Sequence, residues 1–137
     1  MRHLTITPAT QYLIRIDRGE EVVEQLTAFC RDNNIHSGSL HGIGASDKIE
    51  LAHYSVKTKE YSRKTYTGEH EITNVTGVIT DDKIHLHATI ANSSFETAAG
   101  HLVAMQISGA CEIRLFAGKE AIKRTYNDET GLELLDV

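Results

Sequence analysis

The sequence predicts an α+β fold: a largely antiparallel β-sheet with one main N-terminal helix. Three observations carry that expectation. Only one segment, near the N-terminus, repeats its apolar residues at helical spacing. From residue 37 onward the pattern changes to strand-like runs separated by turn residues. The cleanest of these runs, residues 83–90, separates apolar side chains from histidines with a period of two. One helix followed by a series of strands is the pattern of an α+β domain. At 137 residues the chain is expected to form a single domain, 1–137, with a core that needs no disulfide staples.

Residues 11–17 (QYLIRID) read as a first strand. Gly19 and Glu20 then open the helix, whose apolar face is Val22, Leu26, Phe29 and Cys30. Glu20 and Glu21 are expected in its first turn, where the helix dipole favours negative charge. Asn33 and Asn34 mark its stop, with Gly38 just beyond. Gly42 and Gly44 in HGIGAS point to a bent strand or to close approach of another backbone. Residues 49–56 and 60–67 form a hairpin with a polar tip at Lys57, Thr58 and Lys59, and residues 71–80 form a further strand. Cys111, Ile113 and Leu115 share one face of a later strand. Residues 123–126 and 132–135 flank a turn at Asn127 and Asp128 as a last hairpin.

Composition narrows the function. The formal net charge is −5, which argues against a generally cationic nucleic-acid-binding surface. No run approaches the length of a membrane span, and the first residues lack an apolar signal core. A cytoplasmic protein with no membrane partner is expected. Cys30 and Cys111 read as buried reduced thiols. No phosphate-binding loop, nucleophile elbow or His-Glu-x-x-His helix occurs.

Histidine is the unusual residue, with eight in the chain. His85 and His87 stand two apart on the alternating strand, which places both imidazoles on one face about 6.5–7 Å apart at Cα. Ile84, Leu86, Ala88 and Ile90 anchor the opposite face. A third ligand is available in His101, which opens the next element after a loop over residues 92–100. Three neutral imidazoles with an open fourth position describe a catalytic or exchangeable zinc site; other divalent transition metals suit the same ligands. His41, beside the glycine bend, is a further candidate, while His3, His36, His53 and His70 read as solvated or hydrogen-bonded structural residues. Glu69, Glu71 and Glu112 are candidates for orienting a ligating imidazole or acting as a base, with Glu71 and Glu112 preferred.

Several pieces in order then carry a family resemblance. They are Gly19-Glu20, residues 39–45 (SLHGIGA), Glu71-Ile72 with Thr76-Gly77, His85-Leu86-His87, Gly100-His101-Leu102, and the tail Arg124-Thr125-Tyr126 with Thr130-Gly131-Leu132. Over nearly its whole length the chain resembles the PPC (plant and prokaryote conserved) domain family, whose bacterial members carry the label predicted DNA-binding protein. The resemblance implies an α/β fold with an antiparallel sheet, a homotrimer, and a metal, typically zinc, at His85, His87 and His101. Ala99 stands where the family usually has a second glycine.

Three functions follow as expectations. The first is a homotrimeric metal-binding domain that acts on or senses a small ligand, by metal-activated water chemistry if it is an enzyme. The second is DNA binding, as the family label suggests. Plant relatives use a separate AT-hook that this chain lacks, and its one basic cluster is Lys57, Lys59, Arg63 and Lys64, interleaved with Tyr61 and Tyr66. The third is a trimeric platform for other proteins.

Overall fold

The computed structural model describes residue 2 and residues 4–137; His3 lies outside the described residues. In chain order the elements are β1 (Pro8–Ile16), α1 (Val22–Asp32), β2 (Gly38–Ser55), β3 (Glu60–Ile79), β4 (Ile84–Asn92), β5 (Thr97–Gly118), β6 (Arg124–Asn127) and β7 (Leu132–Leu135). All strand pairings are antiparallel. The order in the main sheet is β1-β5-β2-β3-β4, and β4 also pairs with β5. Strands β2, β3, β4 and β5 therefore close into a hydrogen-bonded ring, with β1 on the remaining stretch of β5. Closure removes sheet edges that would otherwise stay unpaired. The balance lies further toward β than an α+β or α/β description suggests, because α1 has 11 residues and β5 alone has 22.

The helix begins two residues later than its sequence signals suggest. Glu21 is not in the first turn but caps it: its backbone is extended and its carboxylate accepts the Glu24 N–H at 2.7 Å. The same carboxylate accepts the Met105 N–H at 2.7 Å, which ties the helix start to β5. Glu24 supplies the first-turn acid. At the other end Asn34 adopts a left-handed φ of 53°, and the Ile35 N–H returns to the Cys30 carbonyl at 2.9 Å. Val22, Leu26 and Cys30 enter a core shared with Ile49, Ile72, Val75, Leu86, Met105 and Ile113. Both cysteines are buried free thiols, and burial pushes each up to about 11.

The strands are longer and fewer than the sequence suggests. Residues 60–67 and 71–80 belong to one strand, β3, which Gly68 bends at a φ of 90° without ending it. The stretch 92–100 is mostly not a loop, since β5 already starts at Thr97. The polar tip at 57–59 is a turn, with Lys59 at a φ of 56°. In β2 the register shifts between Gly42 and Gly44 and again between Ser46 and Lys48. Here both readings of the glycines apply, because the strand is irregular and β5 crosses close by. A Cβ on Gly44 would stand 2.3 Å from the Ala110 carbonyl oxygen, and one on Gly42 would stand 2.5 Å from that of Glu112. Buried Ser46 satisfies its hydroxyl on the Gln106 carbonyl at 2.6 Å. Among the described residues no helix is long and apolar enough to cross a membrane.

The β2–β5 approach gives a direct stability test. Gly44→Ala is expected to cost about 1–3 kcal/mol, the usual range for overpacking. Gly109→Ala, whose Cβ would meet only the Ala45 methyl at 3.5 Å, should change stability by less than about 0.5 kcal/mol. Denaturant midpoints of the two variants measure the difference.

Candidate metal centre

Strand alternation and ring closure together build the site. On β4, Leu86, Ala88 and Ile90 are buried, so His85 and His87 project from the other face. His101 stands near the start of β5, directly paired with His87 on β4 and with Ala52 on β2. Gly100 makes this crossing possible, since a Cβ there would meet the Ala52 carbonyl oxygen at 2.8 Å. The small residue that matters for His101 is thus Gly100; Ala99 pairs with Thr89 and has an exposed side chain.

The three rings face one another. Their centroids are 5.1 Å apart for His85–His87, 5.0 Å for His85–His101 and 5.7 Å for His87–His101. One ring nitrogen from each lies within 4.8 Å of the other two. His101 Nδ1 is buried and has no hydrogen-bond partner among the described residues. A buried polar atom left unpaired costs about 1–3 kcal/mol, and an imidazole lone pair is what a transition metal accepts. Nitrogen donors on three sides and an orphaned ring nitrogen therefore fit a divalent metal ion.

The electrostatics favour neutral rings. Burial lowers His85 from 6.5 to about 4, helped by His101, His87, Arg124 and Lys83. Burial also lowers His101, with help from His87, Lys83 and Arg63. His85 therefore keeps its lone pair down to about pH 4, and the shift of His101 runs in the same direction.

A cleft of about 520 Å³ adjoins the trio, walled by Tyr54, Val56, Tyr61 and Leu132 among others. Of these walls the sequence reading names Tyr61, beside the basic cluster, and Leu132, in the tail motif, but places neither beside the histidines. Tyr54 and Tyr61 face each other across the β2–β3 hairpin, with centroids 4.8 Å apart. Leu132 arrives from the terminal hairpin, which docks through the Tyr54 hydroxyl donating to the Thr130 carbonyl at 2.9 Å. The hairpin signal near Tyr61 was visible in the sequence; the docking of residues 124–135 was not.

The carboxylates expected beside the histidines lie elsewhere. Glu71 and Glu112 line a separate cleft of about 440 Å³ with Ile43 and Thr73, and none of the three histidines is in its wall. Glu112 shares β5 with His101 but stands eleven residues further along it, and no hydrogen bond joins Glu71 or Glu112 to the three rings among the described residues. Glu69 is exposed on β3. His41 stacks on Phe116 at 5.7 Å. His36 meets Asp81 at 2.6 Å, and His70 Nδ1 meets the Gly68 carbonyl at 2.7 Å. His53 lines the cleft beside the trio.

The basic cluster does not form one patch. Arg63 and Lys64 are adjacent on β3 and point to opposite faces. Arg63 reaches Glu50 at 3.3 Å, Lys64 lies over the Tyr66 ring at 4.7 Å, and Lys59 donates to the Asp128 carbonyl. Lys57 is exposed in the hairpin turn.

A small antiparallel ring of strands carrying three convergent histidines is the class this fold and site define. The family model of the Plants and Prokaryotes Conserved (PCC) domain matches residues 5–117, and the chain belongs to that family. Similar solved structures cover 96–100% of it. A protein from Bacteroides thetaiotaomicron with a provisional DNA-binding name is 36% identical, covers 96% of each chain and has a TM-score of 0.89. A metal-containing protein from Archaeoglobus fulgidus is 28% identical, with coverage of 98% of this chain and 99% of its own, and a TM-score of 0.91. A plant- and prokaryote-conserved (PPC) protein from Pyrococcus horikoshii is 26% identical, with coverage of 100% and 98% and a TM-score of 0.90. No curated protein matches the chain.

The lowered His85 value has a consequence for the metal-free protein. The folded chain keeps His85 neutral down to about pH 4, whereas the unfolded chain protonates near 6.5. Between those values the unfolded state binds more protons, so stability falls as pH falls through that window. Denaturation midpoints at pH 7 and pH 4.5, with chelator present, should differ less for His85→Gln than for the parent. An unchanged difference would contradict the burial of this ring.

Proposed function

We propose that this protein binds a divalent transition metal, with zinc the first choice, through His85, His87 and His101, and uses it to act on or sense a small ligand in the adjoining cleft. The observation that carries the reading is the convergence of one nitrogen from each ring within 4.8 Å. The metal-containing name of the Archaeoglobus fulgidus relative supports it. All-nitrogen donors suit zinc, and three protein ligands leave a position open for exchange. A metal held there would supply Lewis-acid activation of water or of a ligand oxygen. The chain's own residues fix the rings through β4–β5 pairing, keep them neutral through burial, and border them with an apolar and aromatic cleft.

A homotrimer in the cytoplasm completes this proposal. Support for self-association comes from the family resemblance and from exposed apolar side chains on the outward faces of β1, β2 and β3: Leu13 at 81%, Ile43 at 58% and Val78 at 38%. DNA binding is the second reading, favoured by the provisional name of the Bacteroides thetaiotaomicron relative. The net charge of −5 and the internal engagement of Arg63, Lys64 and Lys59 weigh against it.

Elemental analysis of protein purified without an affinity tag tests the first reading. It should find about one metal equivalent per chain, as for a three-ligand zinc site, and loss of the metal in His85→Ala and His87→Ala. Fully folded protein that stays metal-free in metal-replete medium would sink it.

A further inference from the structure

The three ligands proposed for the metal are all neutral, and the cleft beside them is lined by no aspartate or glutamate. A divalent ion there would keep its whole double charge beside an apolar wall. His87 is exposed, so the ion would meet solvent as well as the cleft, and no carboxylate in the cleft wall pairs with its charge. The surrounding field adds to the demand. Lys83 and Arg124 act on His85, and Lys83 and Arg63 act on His101. Lys83 is 3.9 Å from Glu133 and Arg63 is 3.3 Å from Glu50, so those two are partly compensated. Arg124 contacts only neutral oxygens among the described residues, the Thr80 hydroxyl and the Glu133 carbonyl. An anionic group on the ligand would supply the negative charge that the cleft wall does not.

The rest of the cleft describes the body of that ligand. Val56 and Tyr61 come from the β2–β3 hairpin, and Leu132 comes from β7. Leu132 lies beyond residues 5–117, the part matched by the family model. The segment that brings it is held by the Tyr54–Thr130 and Lys59–Asp128 hydrogen bonds. A volume of about 520 Å³ falls in the ordinary range for small-molecule sites.

We propose that the cleft takes a small organic monocarboxylate, with its carboxylate toward the three histidines and its apolar or aromatic body against Val56, Tyr61 and Leu132. The terminal hairpin, through Leu132, sets which body fits. This inference rests on the metal-binding reading above, and the following test separates the two.

Cobalt(II) replaces the metal, and its visible spectrum reports ligand exchange without any assay of activity. Phenylacetate should shift that spectrum saturably and bind about tenfold or more tightly than acetate, because the phenyl group leaves water. Butylammonium should have no effect. Leu132→Ala should reduce the phenylacetate-to-acetate affinity ratio about tenfold, and Val56→Ser should reduce it in the same direction; an unperturbed cobalt spectrum without ligand shows that each variant keeps its site. A cobalt spectrum unmoved by phenylacetate would overturn this inference alone. So would inorganic phosphate binding more tightly than phenylacetate, or an affinity ratio unchanged in both variants. Protein that yields no cobalt spectrum would overturn the metal reading and this inference with it.

Discussion

Strand β5 reaches past its main partner, β2, to pair with β4, and the site depends on that contact. The pairing closes the ring of strands and sets His101 directly across from His87. Without it the histidines would sit on separate stretches of sheet, with His101 more than a dozen residues from the other two in sequence. Backbone hydrogen bonds, more than any side-chain contact, therefore determine the donor geometry. The closure needs Gly100, where a side chain would collide with the Ala52 carbonyl. It is supported further along β5 by Gly42 and Gly44, which let β2 and β5 run almost in contact. The helix joins the same strand through Glu21, whose carboxylate both caps α1 and receives the Met105 amide.

That architecture explains the chemistry available at the site. A β-sheet face offers side chains at fixed spacing and direction, so ligands placed on it lose little freedom on binding a metal. The buried face of β4 anchors the histidine pair from behind. Burial then removes the competing proton from His85 and His101. An unpartnered nitrogen on His101 is a cost to the folded chain that a bound cation would offset. The positive surroundings and the lack of wall carboxylates work the other way, against a bare cation, and so favour an anionic companion.

How much of this was legible in the sequence follows the range of each interaction. The His85–His87 pair could be placed by alternation alone, because a period of two is a local property of a strand. The Asn33–Asn34 stop and the hairpin at 57–59 were also readable, since turns and caps are built from neighbouring residues. His101 was named from spacing and family resemblance; its placement against His87 comes from pairing that no local pattern encodes. The same limit accounts for the errors. Residues 60–67 and 71–80 read as two strands but form one, β3, within which Gly68 takes a φ of 90°. Glu71 and Glu112, read as partners for the histidines, line another cleft of the chain, a placement set by strand pairing and not by any local pattern. Leu132 reaches the cleft through a hairpin docked by long-range contacts of Tyr54, Lys59, Thr80 and Lys83, which no local pattern encodes.

The claim at the centre of this account is that the three imidazoles form one donor set. X-ray absorption at the zinc edge of the loaded protein tests it most directly. The account predicts a first shell of nitrogen and oxygen near 2.0–2.1 Å, with outer-shell scattering from three imidazole rings that falls to two in His101→Ala. Sulfur in the first shell, or a spectrum without imidazole scattering, would contradict it.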